Sequence, residues 1–160
     1  MWLITRKPHQ PVVVARRSLS SLSLNTVLAL FIGLFSSMAA AQEGPFIAQL
    51  HAHTPEELQA LLNRAEAWSN STKTYPDHPI SVILHGREAS AFVKENYQKY
   101  QSLVDQAAKL DAFNVVDIKI CERWMGANMV NRNQLPAFVE TVPYGVEEER
   151  KLIKAGFQSF

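Results

Sequence analysis

The chain has 160 residues, of which 16 are lysine or arginine, 15 are aspartate or glutamate and one is cysteine. All 15 acidic residues but only 12 of the basic ones lie after residue 41, so residues 42–160 carry a formal net charge of −3. A mildly acidic segment without a basic stripe argues against nucleic acid as a main partner, and a single cysteine excludes a fold held by disulfide bonds within the chain.

The first 41 residues have the composition of a secretory signal peptide. They contain no acidic residue, and four basic residues (Arg6, Lys7, Arg16 and Arg17) precede an apolar run over 27–35 and a segment of small residues that ends at Ala41. This order predicts export to the periplasm or beyond, with cleavage after Ala41. The alternative is an uncleaved membrane anchor, but the run is well short of the roughly 20 residues that span a bilayer. We therefore expect a signal peptide over 1–41 and one α/β domain over 42–160, with no membrane anchor after cleavage.

The first half of the domain alternates strand and helix signals. Residues 46–50 read as a strand, and Thr54 and Pro55 then open a helix as its cap and its first residue, with Glu57 as the capping-box partner. A second strand over 80–84 is apolar throughout except for one serine, which is typical of a central strand.

The second half repeats the alternation. A helical stretch interrupted near 94–96 leads into a third strand over 115–120, which runs into Cys121, and a short helix follows. We expect a fourth strand over 138–142 and a last helix over 146–155 with Gly156 as its C-terminal cap. Strands that alternate with helices predict a parallel sheet with helices on both faces.

Several kinds of site are missing from the sequence. The five glycines after residue 41 form no phosphate-binding loop, and no G-x-S-x-G motif provides a serine nucleophile. His51 and His53 would point to one face of a strand and could share a metal ion, but no third ligand lies nearby, so two polar histidines at a strand end are the simpler interpretation. We predict no metal and no cofactor.

Cys121 is the leading candidate for a reactive group. It sits where the third strand gives way to a helix, the position at which open α/β sheets gather ligands. His85 ends the second strand at the same edge of the sheet, so its imidazole is a candidate to support a thiolate. The alternatives are a buried, inert cysteine and a histidine that serves only its turn.

An ordered set of short segments resembles the DsrE/DsrF-like sulfur-relay family. The set comprises the strand ending Val82-Ile83-Leu84-His85-Gly86, the strand ending Ile118-Lys119-Ile120-Cys121, Leu135-Pro136, Thr141-Val142-Pro143-Tyr144-Gly145-Val146 and Ala155-Gly156-Phe157. The resemblance covers nearly all of residues 46–160. It implies a flavodoxin-like, three-layer α/β domain with a mostly parallel sheet of four to five strands.

The resemblance also implies a function. Family members assemble into homo-oligomers, often trimers or hexamers, and carry sulfur as a persulfide on a cysteine between a donor and an acceptor protein. Cys121 matches that cysteine, and His85 is carried over as its neighbour. The first hypothesis is therefore an exported sulfur-handling protein. The second is a non-catalytic oligomeric protein, for binding small molecules or for assembly, in which Cys121 only packs.

Overall fold

A computed structural model describes residues 44–72 and 77–160. The predicted signal peptide, residues 1–41, lies outside the described residues. No helix in the described part of the chain is long and apolar enough to cross a membrane.

The centre of the fold is a five-stranded sheet in which every pair of neighbouring strands is parallel. Its strands, in chain order, are β1 (Phe46–Ala48), β2 (Ile80–Leu84), β3 (Val116–Cys121), β4 (Glu140–Val142) and β5 (Gln158–Ser159). Across the sheet they run β4-β3-β2-β1-β5. The predicted α/β domain with a parallel sheet of four to five strands is therefore confirmed.

Four α-helices connect the strands. They are α1 (Pro55–Thr72), α2 (Tyr97–Ala112), α3 (Glu122–Ala127) and α4 (Gly145–Lys154). Three short 3₁₀ segments, Arg87–Phe92, Lys94–Asn96 and Arg132–Gln134, complete the connections. The interruption predicted near 94–96 is the second of these segments.

The two faces of the sheet are covered unequally. Apolar side chains of α1, α2 and α3 share one buried cluster with alternate residues of the central strands, such as Val82 and Ile118. The other face receives α4, which contacts β1 and β2. Because side chains alternate along a strand, the residues between the cluster members point toward α4. The prediction of helices on both faces is confirmed.

The start of α1 follows its sequence signals with one difference. The backbone N–H of Glu57 donates to the Thr54 hydroxyl oxygen at 3.2 Å, as expected for a cap. The Glu57 carboxylate, however, does not return to the Thr54 backbone. It accepts the N–H groups of His51, Ala52 and His53 at 2.8, 2.8 and 2.9 Å, and so holds the whole turn that precedes the helix.

Most predicted boundaries agree with the structure, and the outer strands are the exceptions. β2 has the predicted bounds, and Gly156 follows α4 with a φ of 96°, as a glycine cap requires. β1 and β4 are each two residues shorter than expected. These strands have fewer neighbours to extend their ladders, since β4 is an edge strand and β1 is flanked by the two-residue β5.

Candidate functional site

The carboxyl ends of β3 and β4 form the topological switch point of the sheet. After β3 the chain turns onto the face that carries α1 to α3, whereas after β4 it turns onto the opposite face as α4. Two adjacent strands whose connections leave on opposite faces open a crevice, which is where ligands bind in open α/β sheets. Cys121 is the last residue of β3, so the structure places it at the strand end that the sequence predicted, beside this crevice.

Cys121 lies beneath the first turn of α4. Its side chain is buried, with 6% of the residue exposed. The N–H of Gly145, the first residue of α4, donates a hydrogen bond to Cys121 Sγ at 3.2 Å. The carbonyl oxygen of Pro143 lies 3.9 Å from the same sulfur, where it can accept the thiol proton. The sulfur therefore has one backbone donor and one backbone acceptor, both supplied by the β4–α4 turn.

The absence of a side chain at Gly145 makes this approach possible. A Cβ built at Gly145 would lie 3.0 Å from Cβ and Cδ2 of His85 and 3.2 Å from Cβ of Cys121. Those separations are tighter than ordinary van der Waals contact. His85 and Cys121 thus flank one point of the α4 backbone, with the edge of the imidazole turned toward the helix.

His85 stands beside Cys121 because the two strands are in register. Leu84 pairs with Ile120, so the next residues, His85 and Cys121, follow at neighbouring positions on the α4 face. The imidazole nitrogen Nε2 of His85 lies 3.3 Å from Oε1 of Glu149, one helical turn into α4. The structure therefore brings the two predicted site residues together, and it pairs the imidazole with a carboxylate rather than directly with the sulfur.

A second histidine, His53, completes the cluster. Its ring centroid lies 4.5 Å from that of His85, and its Nδ1 lies 3.4 Å from Oε1 of Glu88. His51 does not join it, because the two residues lie in a turn rather than on a strand and His51 is exposed. The shared metal site that the two histidines suggested is not formed, and no group of three metal-ligating side chains occurs within residues 44–72 and 77–160.

Glu88 is a buried carboxylate beneath the two histidines. Its exposure is 0%, and its Oε1 accepts the backbone N–H groups of His85 and Gly86 at 3.0 and 2.8 Å. Its other oxygen, Oε2, is buried with no hydrogen-bond partner in the described part of the chain. Burying such an oxygen has a free-energy cost, and within the described residues Glu88 is the one side chain that carries it.

The sequence singles out Cys121 and His85 as candidate site residues and His53 only as a candidate metal ligand, and it does not single out Glu149 or Glu88. In the sequence Glu149 is the last of three consecutive glutamates near the start of a helix, where acidic side chains favour the helix dipole. A helical projection alone could not show that it faces the sheet, since α4 has only one buried residue, Gly145. His53 and Glu88 come together across 35 residues of sequence, and no local pattern records that contact.

Comparison with known proteins adds only the fold. No protein-family model and no curated protein matches the chain. A solved structure with a similar fold is that of MTH1491, a protein of unknown function from Methanobacterium thermoautotrophicum. The two share 15% sequence identity, with a TM-score of 0.50 over 72% of this chain and 93% of that chain. The similarity supports the flavodoxin-like α/β domain.

Proposed function

We propose that the protein handles sulfur, with Cys121 as the residue that accepts and presents a persulfide. The observation that carries the proposal is the hydrogen bond from the Gly145 amide to Cys121 Sγ at the switch-point crevice. A backbone amide at the N-terminus of a helix stabilises negative charge on an atom that it contacts. Such a donor suits the Cys121 thiolate that begins the transfer.

The transfer step balances without an external oxidant or reductant. The thiolate of Cys121 attacks the outer sulfur of a donor persulfide, R–S–SH, forming a new S–S bond at Sγ. The S–S bond of the donor breaks, and its electron pair leaves with RS⁻. The proton lost by the Cys121 thiol ends on that leaving thiolate, so the products are a Cys121 persulfide and RSH.

His85 is the group in this proposal that moves the proton. The ring carbon Cδ2 of His85 and Cβ of Cys121 approach the same point on α4, which puts the imidazole in the neighbourhood of the sulfur. A single imidazole can take a proton from one sulfur and give it to another. Glu149 fixes the orientation of the ring through Nε2. The carboxylate also stabilises the imidazolium that forms between the two proton transfers.

The cellular setting is part of the proposal. The signal-peptide composition of residues 1–41 favours work in the periplasm or outside the cell. The resemblance to DsrE/DsrF-like proteins favours a homo-oligomer, a trimer or hexamer, that exchanges sulfur with a donor or acceptor protein. An exported relay needs partners in its own compartment, so the donor is a persulfide available outside the cytoplasm.

A second candidate function is a non-catalytic oligomeric protein for binding or assembly. The burial of Cys121 favours it, because a cysteine with 6% exposure can act as a small apolar core residue. Under this candidate the Gly145 contact is packing, and thiol reagents react with Cys121 only after global unfolding.

A sulfane-sulfur assay separates the two candidates. The purified domain, residues 42–160, is incubated with glutathione persulfide, desalted and treated with cyanide, which converts sulfane sulfur to thiocyanate. We expect about one thiocyanate per chain for the wild type and none above background for Cys121→Ala. Equal yields from both proteins, or none from either, would leave the binding and assembly function as the better account.

A further inference from the structure

His53 adopts a backbone conformation that is uncommon for residues other than glycine. Its φ is 51°, in the left-handed region, where a Cβ atom adds strain that glycine avoids. Strained residues persist when surrounding contacts hold them, and they concentrate at functional sites. The question is therefore what holds His53 and what its ring does there.

The turn is held from one side by Glu57. Three consecutive N–H groups, those of His51, Ala52 and His53, donate to the Glu57 carboxylate within 2.9 Å. Three convergent amides fix the path of the backbone, and they fix the direction in which the His53 side chain leaves it.

On the other side, the His53 ring contacts Glu88 and His85. Oε1 of Glu88 lies 3.4 Å from Nδ1 of His53 and also accepts the N–H of His85, so one buried oxygen serves both histidines. Gly86 makes room for this arrangement. A Cβ at Gly86 would collide with Cβ of His53 and would lie 2.6 Å from Oε2 of Glu88.

Three independent features thus converge on one contact, that between the His53 and His85 rings. These are a strained backbone, a carboxylate that binds three amides, and a buried glutamate beside a glycine that cannot carry a side chain.

We propose that His53 is a positioning residue for His85. Resting on Glu88, it holds the His85 imidazole against α4, where Nε2 meets Glu149 and the ring flanks Gly145 together with Cys121. The proposal rests on the proposed sulfur-transfer function for its consequence, since a His85 ring out of place slows proton movement at Cys121. Its structural content, the dependence of the His85 ring on His53, stands independently of that function.

The backbone of His53 allows an unusually clean test. His53→Gly removes the imidazole and at the same time relieves the left-handed strain, so the variant should fold at least as stably as the wild type. Glu88 keeps its two backbone donors in this variant. The matched control is His51→Gln, which alters an exposed histidine two positions away while retaining the backbone N–H that binds Glu57.

Two measurements decide the proposal. The first is the pair of His85 ring nitrogen signals in long-range proton–nitrogen spectra, which we expect to shift in His53→Gly and to stay unchanged in His51→Gln. The second is the rate of persulfide loading from glutathione persulfide, which should fall about tenfold in His53→Gly. Free imidazole should restore it severalfold, because 31% of the His53 side chain is exposed and its place is open to solvent.

The failure of this inference differs from failure of the function. Unchanged His85 signals in His53→Gly overturn the positioning role whatever the loading assay gives. Shifted signals with loading at the wild-type rate also overturn it, because the ring would then be moved without consequence. If the wild type itself takes no sulfur, the proposed function is wrong, and the nitrogen spectra alone still decide whether His53 positions His85.

Discussion

The amide of Gly145 donates a hydrogen bond to Cys121 Sγ across 24 residues of sequence. This bond links the end of β3 to the segment that follows β4, the neighbouring strand on the other side of the switch point. One chain segment, the β4–α4 turn, thereby both buries the thiol and supplies its polar contacts. Glu149, one turn further along the same helix, brings the carboxylate that pairs with His85. The position of α4 on the sheet therefore determines the geometry of the whole site.

A side chain at position 145 should disrupt the site. In Gly145→Ala the new methyl group would press on His85 and Cys121 at 3.0 to 3.2 Å, and we expect a loss of about 1–3 kcal/mol of unfolding free energy. Urea unfolding measures the loss, and persulfide loading should fall with it.

Gly126→Ala is the matched control for that substitution. Nothing lies within 4 Å of the Cβ position at Gly126, which is inside α3, so alanine there should stabilise the protein by about 0.5–1 kcal/mol. If the two variants have equal stability, the prediction that a side chain at position 145 presses on His85 and Cys121 is wrong.

Removing the charge of Glu149 should slow sulfur loading without unfolding the protein. Glu149→Gln keeps a hydrogen-bonding group beside Nε2 of His85 but loses the carboxylate that stabilises an imidazolium. We expect the loading rate to fall about tenfold. Glu147→Gln, two positions away with a side chain 67% exposed, should load at the wild-type rate. A similar decrease of the loading rate in both variants would show an effect of the total charge of α4 rather than of the contact between Glu149 and His85.

Acid should weaken the turn that holds His53. Hydrogen bonds donated by the backbone, first among them that of His51, hold the pKa of Glu57 below its usual range. A lowered pKa in the folded state contributes stability that is present above the unfolded-state pKa and is lost as the pH falls through the folded-state value. The free energy of unfolding should therefore decrease less between about pH 7 and about pH 4 in Glu57→Gln than in the wild type.

The neighbouring carboxylate provides the control for that comparison. Glu56→Gln changes an exposed residue of the same first turn, outside the turn-binding contacts of Glu57, and should keep the wild-type dependence on pH. If the free energy of unfolding depends on pH in the same way in wild type and Glu57→Gln, the three hydrogen bonds from the backbone amides do not depend on the negative charge of residue 57.

The first turn of α4, which lies over Cys121, should open locally without unfolding of the whole domain. Gly145 is the one buried residue of α4. Of the three apolar side chains of this helix, Val146 and Ile153 are each 46% exposed and Leu152 is partly buried, so little apolar burial holds the helix down. We expect a maleimide to label Cys121 slowly in the native protein, at a rate that changes little with low urea concentrations. A rate that follows global unfolding across all urea concentrations would contradict local opening.

The sequence predicted the architecture well because its signals are local. Strand β2 is apolar except for Ser81, α1 opens with Thr54 and Pro55, and Gly156 follows the end of α4. Each of these signals depends on neighbours a few residues away. Because the carboxyl ends of neighbouring parallel strands lie at the same edge of the sheet, the sequence also predicted His85 and Cys121 at one edge.

The remainder of the site depends on tertiary contacts that leave no local pattern. Glu149 reads as a surface charge until α4 is laid on the sheet. From the sequence, His53 is interpreted as a polar histidine at a strand end, and only the turn around Glu57 brings its ring to His85. The burial of Glu88 runs against the general preference of glutamate for the surface, so no composition argument would have found it.

The intact mass of the native domain after exposure to a persulfide donor tests the central claim most directly. The account predicts an addition of about 32 mass units, mapped by peptide fragmentation to Cys121, reversed by a reducing thiol and absent from Cys121→Ala. A native protein that stays unmodified, and gains mass only after denaturation, would contradict it.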